Sequence, residues 1–336
     1  MVHFYSALDT CGHRTADSFD LETLPGELFD LHSDGVDLIG WRTLRRLNAF
    51  RNKSRILKQY ENVIYSGIYS PIAIKNHSSG KNIYYCNTPP RFLYDLRDHY
   101  LSSLPLWRRL PLFNFHLLFF ATMYESAIRK MDVVIANSKN IQDRIRKFFG
   151  IECPIIYPPC DCDQFNWLGQ GDYYLSTARL DPLKRIDVII EAFTQMPDKK
   201  LIVLSDGIEK AKLLALSRNH KNISFAGSVE EKKLKELIGN AIATIYIPKE
   251  EDFGLSPVES MAAGKPVLGV AEGGMLETVV HGETGWLLPR DPSTEDVVNG
   301  IRELDAEQAH SMRKKCESRA EMFRKEIFIE KMRELI

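Results

Sequence analysis

Glu251-Asp252-Phe253-Gly254-Leu255-Ser256-Pro257-Val258-Glu259, running on into Ser260-Met261-Ala262-Ala263-Gly264-Lys265-Pro266-Val267, directly follows the apolar stretch Ala243-Thr244-Ile245-Tyr246-Ile247. The apolar stretch reads as a buried strand, Gly254 as a tight turn and the residues after it as a helix. A strand, a turn and a helix N-terminus together turn backbone N–H groups toward an anion such as phosphate. Carboxylates at Glu251 and Glu259 flank that anion site. Their placement suits a ligand with hydroxyls on both sides of a phosphate, the shape of a nucleotide sugar. The last four residues have a second reading: Ser256-Pro257-Val258-Glu259 matches a capping box, in which Glu259 would only satisfy a backbone amide.

Outward from this element the alternation continues. Apolar strands are expected at Tyr173–Thr177, Leu201–Ser205, Ile223–Ala226, Pro266–Val270 and Trp286–Leu288, and helices at 184–196, 208–219, 230–239, 256–263 and 293–303. Strands alternating with helices imply a parallel sheet covered on both faces, with ligands beyond the C-terminal strand ends. Asp181-Pro182 reads as an N-cap followed by proline at the first helical position. The N-terminal half is less regular, with strands expected at Asn62–Ser66, Asn82–Cys86 and Asp132–Ala136 and a helix from about Phe113 to Lys130. Tyr157-Pro158-Pro159-Cys160-Asp161 reads as a hinge. The 336 residues therefore divide into domains 1–157 and 158–305, followed by one long charged helix at 306–336 that is expected to cross back over the first domain.

With 44% hydrophobic and 26% charged residues, the composition is that of a globular protein. Charge is unevenly placed: residues 1–155 carry 20 Lys+Arg against 15 Asp+Glu, and residues 156–336 carry 24 against 30. The basic half suits an anionic partner. The six cysteines follow neither a disulfide framework nor a zinc spacing, so they are read as thiols in a reducing cytosol. Met1-Val2-His3-Phe4 does not read as a signal peptide, and the apolar run Leu110–Met123 is too short to span a bilayer.

Arg179 and Lys184 sharpen the picture of the anion site. Arg179 ends the first strand of the second domain and Lys184 falls near the third position of the next helix, with Arg185 beside it. Cations there oppose the helix dipole by about 0.3–1 kcal/mol, and a bound diphosphate would supply the missing negative charge.

These residues carry a resemblance. Ser176-Thr177-Ala178-Arg179-Leu180 with Lys184-Arg185-Ile186-Asp187, then Glu251 through Pro266, Gly273-Gly274-Met275-Leu276-Glu277-Thr278 and Gly282-Glu283-Thr284-Gly285, resemble family-four retaining glycosyltransferases, bacterial O-antigen and capsule mannosyltransferases above all. Asn137-Ser138 and Ile155-Ile156-Tyr157-Pro158-Pro159 share that likeness. The resemblance implies the GT-B fold, α/β with two Rossmann-like domains facing a cleft. It implies that Arg179 and Lys184 bind the donor diphosphate and that Glu251 binds the donor sugar. Phe253, Gly254 and Leu255 would offer backbone amides, Glu259 would hold the ribose, and Gly227-Ser228-Val229 the base. It further implies catalysis without a metal or any cofactor.

Two positions depart from the family. Where related mannosyltransferases carry His near the donor sugar, within Tyr84-Tyr85-Cys86-Asn87-Thr88-Pro89-Pro90-Arg91, this chain has Asn87, which hydrogen-bonds but takes no proton at neutral pH. The family's opening strand and Gly-Gly loop are not apparent, Cys11-Gly12-His13 being a weak substitute, so the first domain is expected to lack its first strand or to be built differently.

Between Trp41 and Lys58, Arg42, Arg45, Arg46, Arg51, Lys53, Arg55 and Lys58 accompany no acid, and Leu44, Leu47, Phe50, Ile56 and Leu57 interleave at helical spacing. This reads either as a basic amphipathic helix on an anionic membrane or as a helix packed on its own sheet. Trp107-Arg108-Arg109-Leu110-Pro111-Leu112-Phe113 has a similar character. No nucleic-acid module accompanies the charge. The expectation is a cytoplasmic, peripheral membrane hexosyltransferase, using GDP-mannose or a UDP-sugar and a polyprenyl-linked glycan acceptor. The alternative is a GT-B protein that binds nucleotide sugar without turnover.

Overall fold

The computed structural model describes residues 4–6, 28–30, 41–102 and 111–336, with side chains over 45–100 and 117–336. Two compact units divide the chain. Residues 1–136 and 141–154 with Ile336 make the first, and 137–140 with 155–335 the second.

The second unit is built on six parallel strands: β6 (Tyr173–Ser176), β7 (Lys200–Leu204), β8 (Ile223–Gly227), β9 (Thr244–Ile245), β10 (Val267–Val270) and β11 (Gly285–Leu288). Their spatial order, β8-β7-β6-β9-β10-β11, is that of a doubly wound dinucleotide-binding sheet. Leu175, Leu201, Val203, Ile245, Val267 and Leu268 are fully buried, which explains why these strands read as unbroken apolar runs. Helices Ile186–Thr194, Lys210–Ser217, Glu231–Asn240, Leu255–Ala262 and Thr294–Glu303 fall within one or two residues of their expected bounds at most ends. The order of strands reverses between β6 and β9, so the carboxyl ends of those two strands mark where a ligand fits.

The final segment is not one helix. It runs as Ala306–Ser311, Arg313–Ala320, a single turn at Glu321–Phe323, and Lys325–Arg333. Arg324 turns extended, with φ −60° and ψ 148°. That break lets Cys160 pair with the chain: its N–H donates to Phe323 O at 2.8 Å, and Lys325 N–H donates to Cys160 O at 3.2 Å. Tyr157-Pro158-Pro159-Cys160-Asp161 is therefore bonded into the second unit, and the units part between Pro154 and Ile155. Buried Met312, Cys316, Ala320 and Phe323 give the segment an apolar side that periodicity alone presented as a continuous helix.

In the first unit β3 (Asn62–Ser66), β4 (Lys81–Cys86) and β5 (Val133–Ala136) form a parallel sheet in chain order. Helix Pro111–Ile128 precedes β5. β1 (Phe4–Ser6) pairs in parallel with β2 (Leu28–Asp30) in a two-stranded sheet separate from β3-β4-β5. Cys11-Gly12-His13 and Trp107–Leu110 lie outside the described residues.

The basic stretch is also divided, into an α-helix Trp41–Asn48, a wider π-type turn Ala49–Lys53 and a 3₁₀ turn Arg55–Gln59. Buried Ser54 forces the change of pitch: its hydroxyl donates to Phe50 O and accepts from Asn76 Nδ2 at 2.8 Å. Leu47, Ala49 and Leu57 are buried, so much of the apolar face packs within the unit. Arg51, Lys53, Arg55 and Lys58 remain exposed, Arg45 and Arg46 are half-buried, and the side chain of Arg42 lies outside the described ones.

Candidate active site

The site grows from the end of β9. Tyr246 N–H donates to Leu268 O at 2.9 Å, and Lys249 N–H donates to Leu183 O at 2.7 Å. The loop is thereby tied to β10 on one side and to the turn Pro182–Lys184 on the other. Asp181 caps that turn as expected, accepting from Leu183 N at 3.0 Å. The turn is 3₁₀, however, and the α-helix begins only at Ile186. Lys184 thus precedes the helix instead of occupying its first turn.

That offset directs Lys184 at the acidic loop. Its Nζ lies 2.6 Å from Glu251 Oε2 and 3.0 Å from the Tyr246 hydroxyl. Both members of the ion pair are mostly enclosed, with side-chain exposures of 17% and 19%, enough burial to reduce screening by solvent. Arg179, beyond the end of β6, is exposed, and its side chain has no hydrogen-bond or ion-pair partner among the described residues.

Arg185 has a different fate from the one the sequence suggested. It holds the left-handed conformation at φ 51°, a strain of order 1 kcal/mol for a side-chain-bearing residue. Its guanidinium donates to Ile247 O (3.2 Å), Pro248 O (3.3 Å), Glu272 Oε1 (2.7 Å) and Asp291 Oδ1 (2.7 Å). Arg185 therefore shapes the loop and is not free to hold a phosphate. Desolvation raises the pKa of Glu272, with Arg185 opposing the rise.

Beyond Glu251 the backbone lies flat against two glycines. A Cβ at Gly273 would fall 2.4 Å from Glu251 O, and one at Gly274 would fall 2.3 Å from Phe253 Cα. The pair is required for this close approach, and Gly274 N–H donates to Glu251 O at 2.8 Å. From the other side Asn140 Nδ2 donates to the same carbonyl at 2.9 Å, and Ser138 Oγ donates to Asp252 O at 2.7 Å. Glu277 accepts from the amides of Lys139 and Asn140 at 2.6 and 2.9 Å. Phe253 is buried against Tyr157 and Phe323, at centroid distances of 5.5 and 5.4 Å.

Gly254, at φ 92°, is the N-cap of helix Leu255–Ala262, which has no side-chain cap. The expected capping box at Ser256–Glu259 does not form, because the left-handed glycine starts the helix one residue before Ser256. A capping box exists instead at Ser293 and Asp296. The amides of Gly254, Leu255 and Ser256 donate to no acceptor among the described residues, which is the anion-receiving geometry expected of a helix N-terminus. Glu259, half-buried on this helix, has its pKa raised by desolvation and by the charge of Glu231, with Lys235 opposing.

Gly227 ends β8 at φ 67°, with exposed Ser228 and half-buried Val229 after it. Sheet topology accordingly assembles Arg179, Lys184, Glu251, Gly254 and the Gly227–Val229 loop at one edge of the second unit. Asn87 belongs to the first unit, exposed at the end of β4 and donating to Ser66 Oγ at 3.0 Å. Sequence reasoning assigned no role to Tyr246 or Asn140, nor to Ser138 and Glu277 within the stretches that carry the resemblance. The only signal for Tyr246 was an aromatic residue closing a strand two positions before Pro248.

Residues 163–323 match the family described as glycosyl transferases group 1. The alpha-1,3/1,6-mannosyltransferase alg2 of Schizosaccharomyces pombe is 26% identical over 260 residues, covering 62% of this chain and 48% of that protein. The chain thus spans about half the length of that curated relative. Among solved structures, sucrose-phosphate synthase from Thermosynechococcus elongatus superposes with a TM-score of 0.75 at 19% identity, over 92% of this chain and 82% of that one. Anabaena Alr3699/HepE in complex with UDP and glucose superposes with a TM-score of 0.70 at 18% identity, over 94% and 87%. With a 3-2-1-4-5-6 sheet carrying an acidic loop at its switch point, the chain has the GT-B fold, and its second unit matches the glycosyl transferases group 1 family across that sheet.

Proposed function

We propose that the protein is a retaining hexosyltransferase that moves mannose from a nucleotide sugar to a glycan acceptor. The observation that carries this reading is the enclosed Lys184–Glu251 pair beside the uncapped helix N-terminus at Gly254. Cleaving a sugar–phosphate bond places negative charge on the departing diphosphate. Arg179, Lys184 and the amides of residues 254–256 would stabilise that charge, and preorganised donors of this kind act strongly where water is excluded. Glu251 accepts hydrogen bonds from the sugar hydroxyls, Glu259 from the ribose, and the Gly227–Val229 loop contacts the base. As the donor enters, Lys184 exchanges the Glu251 carboxylate for phosphate oxygens. Cationic side chains fill the place of a metal, and the reaction needs no cofactor. Asn87 carries no proton at neutral pH and would act only by hydrogen bonding.

Mannose is favoured by the activity named for the Schizosaccharomyces pombe relative. A UDP-sugar is the second reading, favoured by the UDP and glucose held by the Anabaena protein. The acceptor in this proposal is a lipid-linked glycan used in surface polysaccharide synthesis, met at the cytoplasmic face of the plasma membrane. Among the described residues no helix is long and apolar enough to cross a membrane, and the exposed cations Arg51, Lys53, Arg55 and Lys58 would contribute about 1 kcal/mol each near an anionic surface. Incubating the protein with GDP-mannose, UDP-glucose and UDP-N-acetylglucosamine and following nucleoside diphosphate release tests the proposal. Release with one donor supports it, and binding of nucleotide sugar without release from any donor indicates the non-catalytic alternative.

A further inference from the structure

Tyr246 closes β9 at the switch point and is 7% exposed, its ring packed in the main core of the second unit. Its hydroxyl is 3.0 Å from Lys184 Nζ, and Lys184 lies 5.1 Å from the centroid of its ring. An ammonium donates and never accepts, so the phenol oxygen must accept here and its own proton is left for another partner. Glu251 accepts from the same ammonium at 2.6 Å, and its charge acts on the phenol, so the carboxylate stands beside the hydroxyl. The Lys184 ammonium thus links the two groups, donating to the phenol and to the carboxylate. Arg179 and Glu259 also act on the phenol electrostatically. One hydroxyl therefore stands among four residues that the sequence assigned separately to diphosphate, sugar and ribose.

Resting on the functional reading above, we propose that Tyr246 is a positioning residue for transfer, fixing Lys184 and Glu251 relative to each other through a single hydroxyl. Its backbone is pinned to Leu268 and its ring is buried, so the hydroxyl is the least mobile of the three groups. When Lys184 turns to the diphosphate, the phenol stays in place and its proton is available to Glu251, holding that carboxylate in the orientation that receives sugar hydroxyls. Burial raises the Tyr246 pKa well above the ordinary phenol value, so the group keeps its proton at working pH and acts by hydrogen bonding alone.

The test is Tyr246→Phe, which keeps the packed ring and deletes only the hydroxyl. With the donor that wild type turns over, kcat falls roughly 10- to 100-fold, the size expected for losing hydrogen bonds to charged groups. The donor KM changes less than about threefold, as for an interaction that orients more than it binds. Combining Tyr246→Phe with Glu251→Gln gives a loss well below the product of the two single losses, because both changes release the same Lys184 ammonium. A variant with wild-type kcat, or with strictly multiplicative losses, overturns the positioning role and leaves the transferase reading intact. Wild-type protein that releases no nucleoside diphosphate from any donor overturns the transferase reading, and this role with it.

Discussion

Lys184 Nζ and Glu251 Oε2 lie 2.6 Å apart although 67 residues separate them in sequence. Each comes from the carboxyl end of a strand flanking the point where the sheet changes direction, β6 for Lys184 and β9 for Glu251. Without a ligand they neutralise one another. With a nucleotide sugar they would divide its charge and hydroxyls between them.

Removing one member of this pair leaves the other charge enclosed without a counterion. Lys184→Met should lower nucleoside diphosphate affinity and abolish release, with stability reduced by about 1–3 kcal/mol. Calorimetric titration with GDP and UDP, alongside thermal unfolding, reads both effects.

Glu259 gives the opposite sign for stability. Its pKa is raised from 4.5 by desolvation and by Glu231, so the folded state binds the proton more tightly than the unfolded state. A carboxylate in that position opposes folding once pH exceeds its raised pKa, and the opposition fades as pH falls below 4.5. Glu259→Gln should therefore raise the Tm of the ligand-free protein at pH 7, by a margin that shrinks toward pH 4. With Glu259 on the ribose as proposed, the same change should also weaken nucleotide binding, a trade of stability for function. Unfolding scans across this pH range, with and without nucleoside diphosphate, separate the two effects.

Gly274 is the point where a single methyl reaches the catalytic loop. Gly274→Ala places a Cβ 2.3 Å from Phe253 Cα, which forces the 251–253 backbone away. The expected loss is at least 100-fold in kcat/KM, or about 2.7 kcal/mol of transition-state stabilisation. Steady-state kinetics of the purified variant checks it.

Glu277 supports the loop at a distance. Replacing it by Ala removes two hydrogen bonds to the amides of Lys139 and Asn140, a loss of about 1–2 kcal/mol for a helix N-terminal carboxylate. The Tm should fall by roughly 2–8 °C, as differential scanning calorimetry will report.

The second unit was readable because its strands are buried on both faces and its helices begin and end at glycines, prolines and capping residues. Glu251, Lys184 and Gly254 were singled out by their places at strand ends and at a strand–turn–helix junction, and the family resemblance gave them roles. Three features were hidden for physical reasons. The capping box at Ser256–Glu259 is a correct local pattern that Gly254 overrides by starting the helix earlier. Arg185 looked like a phosphate ligand because its carbonyl and carboxylate partners, at 247, 248, 272 and 291, are distant in sequence. Tyr246 was indistinguishable from any strand aromatic until the fold brought Lys184 to its hydroxyl. In the first unit, Ser54 and Asn76 broke a helix that hydrophobic periodicity presented as continuous.

Metal dependence is a separate prediction. In the proposed mechanism Arg179 and Lys184 supply the positive charge, so full activity should persist after treatment with EDTA; a loss restored by Mn²⁺ or Mg²⁺ would refute that point alone. Membrane attachment has its own assay in flotation with anionic liposomes, where Arg51→Glu with Arg55→Glu should abolish binding.

Comparing wild type with Glu251→Ala for nucleoside diphosphate release from GDP-mannose and UDP-sugars, with binding of the free diphosphate measured in parallel, tests the central claim most directly. Wild type should release the diphosphate, the variant should lose at least 100-fold, and both should retain diphosphate binding. Equal release by the two proteins would contradict it.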